Sequence, residues 1–208
     1  MKRETLRLYA VTDRSWLGSE SLSRQVEQAL RGGVSFMQLR EKNLDDEDVL
    51  AEAMELKALC RDYDVPFVIN DRVHLALAAD ADGVHVGQED MAVREARRLL
   101  GPQKIVGATC KTVEQALRAQ ADGADYIGSG AMFSSIAKPN ARSISRETLQ
   151  EICTAVEIPV VAIGGISEEN MPGLAGTGIA GVAVVSALFA QRDIEAAARW
   201  LRALAEAF

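Results

Sequence analysis

Short β-branched runs alternate with longer stretches of helical period along the whole chain, and no Pro- or Ser-rich linker or composition shift interrupts them. The pattern predicts strands at residues 6–12, 35–39, 66–70, 83–86, 104–109, 126–129, 159–163 and 181–185. Between them, Leu22, Val26, Ala29 and Leu30 form one apolar stripe, Val49, Ala53, Leu56 and Cys60 a second, and Val113, Ala116, Leu117 and Ala121 a third. Leu149, Ile152, Cys153 and Val156 repeat the spacing, as do Ile194, Ala197, Ala198, Leu201 and Leu204. Each stripe can cover one face of a sheet.

Local punctuation agrees. Thr112 and Gln115 have capping-box spacing, and Ser145 and Ser167 stand where helix N-caps belong. Gly32-Gly33-Val34, Asp122-Gly123-Ala124-Asp125 and similar phrases recur just before strands, as helix stops turning into the next β unit. A doubly wound open sheet would also alternate in this way. Eight units favour closure into an α/β (β/α)8 TIM barrel, in one domain spanning residues 1–208.

The last two strands carry a second signal. Ile163-Gly164-Gly165-Ile166 and Val184-Val185-Ser186-Ala187 each run a β-branched strand into small residues, whose bare N–H groups can converge on a phosphate. In βα barrels such a site follows strands seven and eight. The alternative is that the glycines merely turn tightly into the next helix.

Composition narrows the partners. With 23 Lys+Arg against 30 Asp+Glu, the net charge of −7 offers no general attraction to nucleic acid or anionic membranes. The N-terminal charges precede no apolar signal region, and no apolar run reaches membrane-spanning length, so a cytoplasmic protein is expected, with a homo-oligomer left open. Cys60, Cys110 and Cys153 lack metal or redox spacing and are expected as reduced thiols. His74 and His85 also lack metal spacing and are expected to be satisfied structurally.

In a closed barrel, chemistry belongs to the loops after the strands. The second strand ends Gln38-Leu39-Arg40-Glu41-Lys42, which offers two cations to an anion unless they pair with Glu41 at the rim. The third ends Ile69-Asn70-Asp71-Arg72, and Gly87-Gln88-Glu89-Asp90 follows the fourth. Carboxylates on adjacent loops are hard oxygen ligands for Mg²⁺ when a diphosphate completes the shell, although Asp90 could instead cap the helix over 91–100. The sixth strand leads into the Gly- and Ser-containing loop 128–138, which ends on Lys138 and reads as a lid or as a plain connector.

Taken together with Tyr9-Ala10-Val11-Thr12-Asp13, Asp82-Gly83-Val84-His85-Val86-Gly87-Gln88 and Gly123-Ala124-Asp125-Tyr126-Ile127-Gly128, these motifs resemble the thiamine phosphate synthase family nearly end to end. The resemblance implies a barrel enzyme that joins hydroxymethylpyrimidine diphosphate to a thiazole phosphate and releases diphosphate with Mg²⁺. It implies that Gln38, Leu39, Arg40, Glu41, Lys42, Asn70, Thr109 and Lys138 hold the pyrimidine diphosphate. It places Mg²⁺ on Asp71 and Asp90, and the thiazole phosphate on Ser135, Ile136, Ala137, Gly165, Val185 and Ser186. Arg40, Lys42, Lys138 and Thr109 are the groups expected at the reaction itself.

The chain departs from the family pattern at Thr109 (usually Ser), Lys111 (usually His), Ala131 (usually Pro), and Ser135 and Ala137, where two threonines are usual. A related thiazole tautomerase would carry a histidine at position 131, and a non-catalytic thiazole-phosphate-binding regulator would not need the metal carboxylates.

Overall fold

The computed structural model describes residues 1–134 and 143–208. Eight parallel strands close into a barrel in chain order: β1 (Leu8–Val11), β2 (Phe36–Leu39), β3 (Phe67–Asn70), β4 (Gly83–Val86), β5 (Ile105–Cys110), β6 (Tyr126–Gly130), β7 (Val160–Ile163) and β8 (Gly181–Val184). Closure is made by β8 beside β1, with Tyr9 opposite Ala183. Alternation along each strand sorts side chains into two cores. Tyr9, Val11, Phe36, Val68, Tyr126, Val161 and Ala183 fill the barrel, while the other parity packs under the helices.

The helices are α1 (Leu22–Arg31), α2 (Asp46–Asp62), α3 (Val73–Ala78), α4 (Val93–Leu100), α5 (Val113–Ala121), α6 (Arg146–Ala155), α7 (Ser186–Phe189) and α8 (Ile194–Ala205). Thr112 caps α5 through the Gln115 N–H (3.2 Å) and Ser145 caps α6 through the Thr148 N–H (3.1 Å). The Gln115 side chain accepts from the Lys111 N–H, so the capping box reaches one residue further back than its spacing suggests.

Several expectations need correction. The first strand starts at Leu8, because Arg3–Leu6 form a 3-10 turn whose Arg3 guanidinium holds the carbonyls of Gly178 (2.9 Å) and Ile179 (2.8 Å) across the barrel bottom. On α5 the face against the sheet is Ala116 and Ala119, and Leu117 is 45% exposed. Small alanines let that helix sit close, and the stripe read from larger residues is out of phase. Ser167 caps no helix: its N–H donates to Asn170 Oδ1 (2.9 Å), and β7 is followed by a 3-10 turn, Met171–Leu174. Pro172, Gly173, Gly176 and Gly178 make that segment a poor helix former.

Cys60 and Cys110 are buried and Cys153 is partly so; all are free. Burial pushes the Cys60 and Cys110 thiols up to about 12, so neither is a ready nucleophile. Among the described residues, no helix is long and apolar enough to cross a membrane.

Candidate active site

A cavity of about 190 Å³ opens at the C-terminal ends of the strands. Its floor is Tyr9, Val11, Val161, Ile163 and Ala183, the top layer of the barrel interior. Gln38, Arg40, Asn70, His85, Thr109 and Lys111 line the wall from β2 to β5. Gly164, Gly165, Ile166, Val185 and Ser186 line the wall from β7 and β8.

The two walls differ chemically. On the first, Gln38 and Arg40 share the inward parity of β2. The Arg40 backbone is tied down by its N–H to Thr12 Oγ1 (2.9 Å), while its guanidinium makes no hydrogen bond or ion pair with any described residue. A guanidinium at a cavity wall with no partner among the described residues is suited to an anion. On the second wall, the N–H groups of Gly165, Ser186 and Ala187 donate to no described acceptor, and Ser186 begins the short helix α7. These are the groups a phosphate would collect. Gly164 and Gly165 have φ of +97° and +64°, and a Cβ on Gly165 would lie 2.4 Å from the Ser134 carbonyl oxygen. Glycine is therefore required there by both conformation and space. The Met132 and Phe133 N–H groups donate to Ile163 and Gly164 (2.9 Å each), which lays the start of the sixth loop against this junction.

Beside the cavity, on the loops after β2, β3 and β4, stand Lys42, Asp71 and Asp90. Lys42 pairs with Asp71, and Asn70 donates to the same carboxylate (2.6 Å). Asp71 is half-buried, yet Lys42 and a hydrogen bond from Asp90 hold its carboxyl below the ordinary value. Asp90 goes the other way, raised by burial and then by contact with Asp71. The alternative of Asp90 as a helix cap is not realised, because α4 has Ala92 at its N-cap and Asp90 accepts from the Gly87 N–H (2.8 Å). Two carboxylates pressed together beside one ammonium form an oxygen donor set that fits a divalent cation. Among the described residues, no group of three or more His, Cys, Asp or Glu side chains is clustered to bind a metal, so the remaining ligands would have to come from substrate and water.

The structure does not bring the Leu39 and Glu41 side chains to the cavity. Leu39 has the outward parity and is buried under the helices. Glu41 is buried as well, accepting from Arg14 Nε (2.6 Å) and from the Lys42 and Asn43 N–H groups. It folds the loop that carries Lys42; the rim pairing expected for Glu41 exists, but with Arg14 rather than with Arg40 or Lys42. Ser135, Ile136, Ala137 and Lys138 lie outside the described residues.

Sequence reasoning missed Tyr9, Tyr126 and Lys111 as cavity or subfloor residues, and it took His85 as merely satisfied. His85 is satisfied, on one side from the barrel core and on the other from the cavity wall: Nδ1 meets Tyr126 Oη and Nε2 meets Thr109 Oγ1, each at 2.9 Å. The available signal was parity, since Tyr9 lies two residues before Val11, and His85 faces Gly107 across the ladder. His74 pairs with Asp46 (2.7 Å), away from the cavity lining.

Comparisons with known proteins agree with this architecture. The family described as thiamine monophosphate synthase matches residues 8–188. A protein named thiamine-phosphate synthase 2 from Streptococcus pneumoniae is 50% identical over 196 residues, covering 94% of this chain and 93% of its own length. A thiamine-phosphate synthase from Ruminiclostridium cellulolyticum is 47% identical over 194 residues, covering 93% and 92%. The solved thiamine phosphate pyrophosphorylase of Pyrococcus furiosus superposes with a TM-score of 0.90 at 40% identity, covering 98% of this chain and 97% of that one.

Proposed function

The chain belongs to the thiamine monophosphate synthase family, and from that premise we propose that it is a transferase joining 4-amino-2-methyl-5-(diphosphooxymethyl)pyrimidine to a thiazole phosphate. The feature that supports this reading is a cavity with groups suited to anions on two walls, the Arg40 guanidinium on one and, on the other, the Gly165 and Ser186 N–H groups, which donate to no described acceptor. A tautomerase or a phosphate-binding regulator acting on the thiazole alone would need only the second seat, and Ala131 at the rim has no acid-base group.

In the proposed reaction the bond between the pyrimidine methylene carbon and the diphosphate oxygen breaks, and its electron pair leaves with diphosphate. The aminopyrimidine ring spreads the resulting positive charge, so no protein nucleophile is required. The thiazole nitrogen then donates its lone pair to that carbon, giving thiamine phosphate. Arg40 and Lys42 stand where they can hold the leaving group as its charge grows, an electrostatic contribution needing little reorganisation of the protein. Asp71 and Asp90 would hold Mg²⁺, which when bound neutralises charge on the diphosphate. Lys138 is proposed as a further cation at the same group.

Incubation with both substrates and Mg²⁺ tests the reading. Thiamine phosphate and diphosphate are expected in equal amounts, and their absence under saturating substrates would sink it. Gly165→Ala probes the second seat: backbone strain of about 1–3 kcal/mol predicts a thiazole phosphate KM raised roughly tenfold or more, with the pyrimidine KM within about twofold. Steady-state kinetics with each substrate varied in turn would check it.

A further inference from the structure

The turn after β1 holds two successive residues of the loop after β2. Thr12 Oγ1 accepts from the Arg40 N–H (2.9 Å) and donates to the Arg40 carbonyl (3.4 Å), so the Arg40 backbone is held from the end of β1. Two residues on, Arg14 donates through Nε to Glu41 Oε2 (2.6 Å) and through Nη2 to Glu52 Oε1 on α2. The other Glu41 oxygen accepts from the Lys42 N–H (2.8 Å) and the Asn43 N–H (3.0 Å). From the opposite flank, Arg72 donates to the Leu44 carbonyl (3.1 Å) and to Asp46 (2.9 Å). The segment that carries Lys42 is gripped between two arginines of neighbouring loops.

We propose that Arg14 is a positioning residue for the transfer reaction, acting on Lys42 through the Glu41 carboxylate while Thr12 holds Arg40 separately. One carboxylate gathers Arg14 on one oxygen and two consecutive N–H groups on the other, so any shift of Glu41 moves the Lys42 backbone with it. The Glu41 side chain is only 4% exposed, and a buried carboxylate that loses its cation is strongly destabilised and driven to rearrange. Glu52 depends on the same guanidinium, since Arg14 is its one described side-chain partner and its Oε2 is buried without one. A planar guanidinium serves both carboxylates in fixed directions, which a lysine ammonium, a point charge, does not. Lys42 is half-exposed, with Asp71 as its one described side-chain partner, so the reach of its ammonium is set by where its backbone is held. This gives Glu41 a task between Arg40 and Lys42 although it does not line the cavity.

The part given to Lys42 rests on the function proposed above, so the readouts are chosen to fail separately. Hydrogen exchange reads the grip without any reaction: the Lys42 and Asn43 N–H groups should exchange at least about tenfold faster in Arg14→Met than in the wild type. Steady-state kinetics read the route. Arg14→Met should lower kcat about tenfold, inside the loss of about 100-fold that a misplacement of roughly 1 Å brings. In the Lys42→Met background the same substitution should change kcat by less than about twofold, whereas in the Arg40→Met background it should still cost about tenfold. An Arg14 that merely stabilises the fold would lower Tm and reduce kcat equally in all three backgrounds. Unchanged exchange at Lys42 and Asn43, an unchanged kcat in Arg14→Met, or an equal loss in the Lys42→Met background would overturn the proposal. If Arg14→Met does not fold, Arg14→Lys, which keeps the charge and loses the fork, goes through the same cycle, with a loss of at least about threefold expected alone and none beside Lys42→Met. If the wild type makes no thiamine phosphate, the cycle is read from calorimetric binding of inorganic diphosphate with Mg²⁺. Weakening by Arg14→Met only where Lys42 is present would then uphold the grip while the reaction falls, and equal weakening with and without Lys42 would overturn it.

Discussion

Arg40→Met is expected to lower kcat/KM for the pyrimidine diphosphate by about 100- to 1000-fold, the loss typical of removing one preorganised group from developing charge. The expectation comes from geometry more than from charge alone. Lys42 is already engaged with Asp71, whereas Arg40 lines the cavity and its guanidinium has no described partner. Methionine keeps most of the length and apolar contact while deleting the charge, so a folding defect should be small. The thiazole phosphate KM should stay within about twofold, because the second seat lies across the cavity. Single-turnover kinetics would check that the loss falls on bond breaking, and a variant within threefold of wild type would remove Arg40 from the reaction.

Asp71→Asn is expected to raise the Mg²⁺ concentration for half-maximal rate by at least about 100-fold, since even indirect supporters of metal ligands cost 10- to 100-fold. Asp71 sits at φ +61° with its N–H donated to the His85 carbonyl, so asparagine, which tolerates the same backbone, should preserve the loop. The substitution also releases Lys42. Lys42→Met is therefore the control: it should lower kcat while moving the Mg²⁺ dependence far less. Titrating Mg²⁺ against initial rate in the three proteins would separate the roles, and an unchanged half-saturation in Asp71→Asn would end the metal assignment.

Much of the fold was legible because its signals are local. A strand that is β-branched and four to six residues long declares itself, and so does a Ser or Thr three residues before its N–H partner; Ser145 and Thr112 both cap as read. Ser167 failed because the same motif followed by Pro172 and Gly173 has no helix to cap. The phase of α5 failed because alanine says little about which face is buried until the distance to the sheet is known. In the site, Gln38, Arg40, Asn70, Thr109, Gly165, Val185 and Ser186 all reach the cavity, since each follows or ends a strand whose direction the barrel imposes. Leu39 and Glu41 share their stretch with Gln38 and Arg40 and still point elsewhere, because adjacent residues on a strand face opposite sides.

By itself the sequence determined the alternation, the eight units and the glycine-rich junctions, all properties of spacings of a few residues. Only the tertiary structure decided that Tyr9, His85, Thr109 and Tyr126 form one line. They come from β1, β4, β5 and β6, up to 117 residues apart, and meet because closure of the barrel sets the stagger between strands that are not neighbours. No local period encodes that stagger. The pairing of Asp71 with Asp90, and the absence of any described partner for Arg40, were decided in the same way, by which loops the closed ring brings side by side.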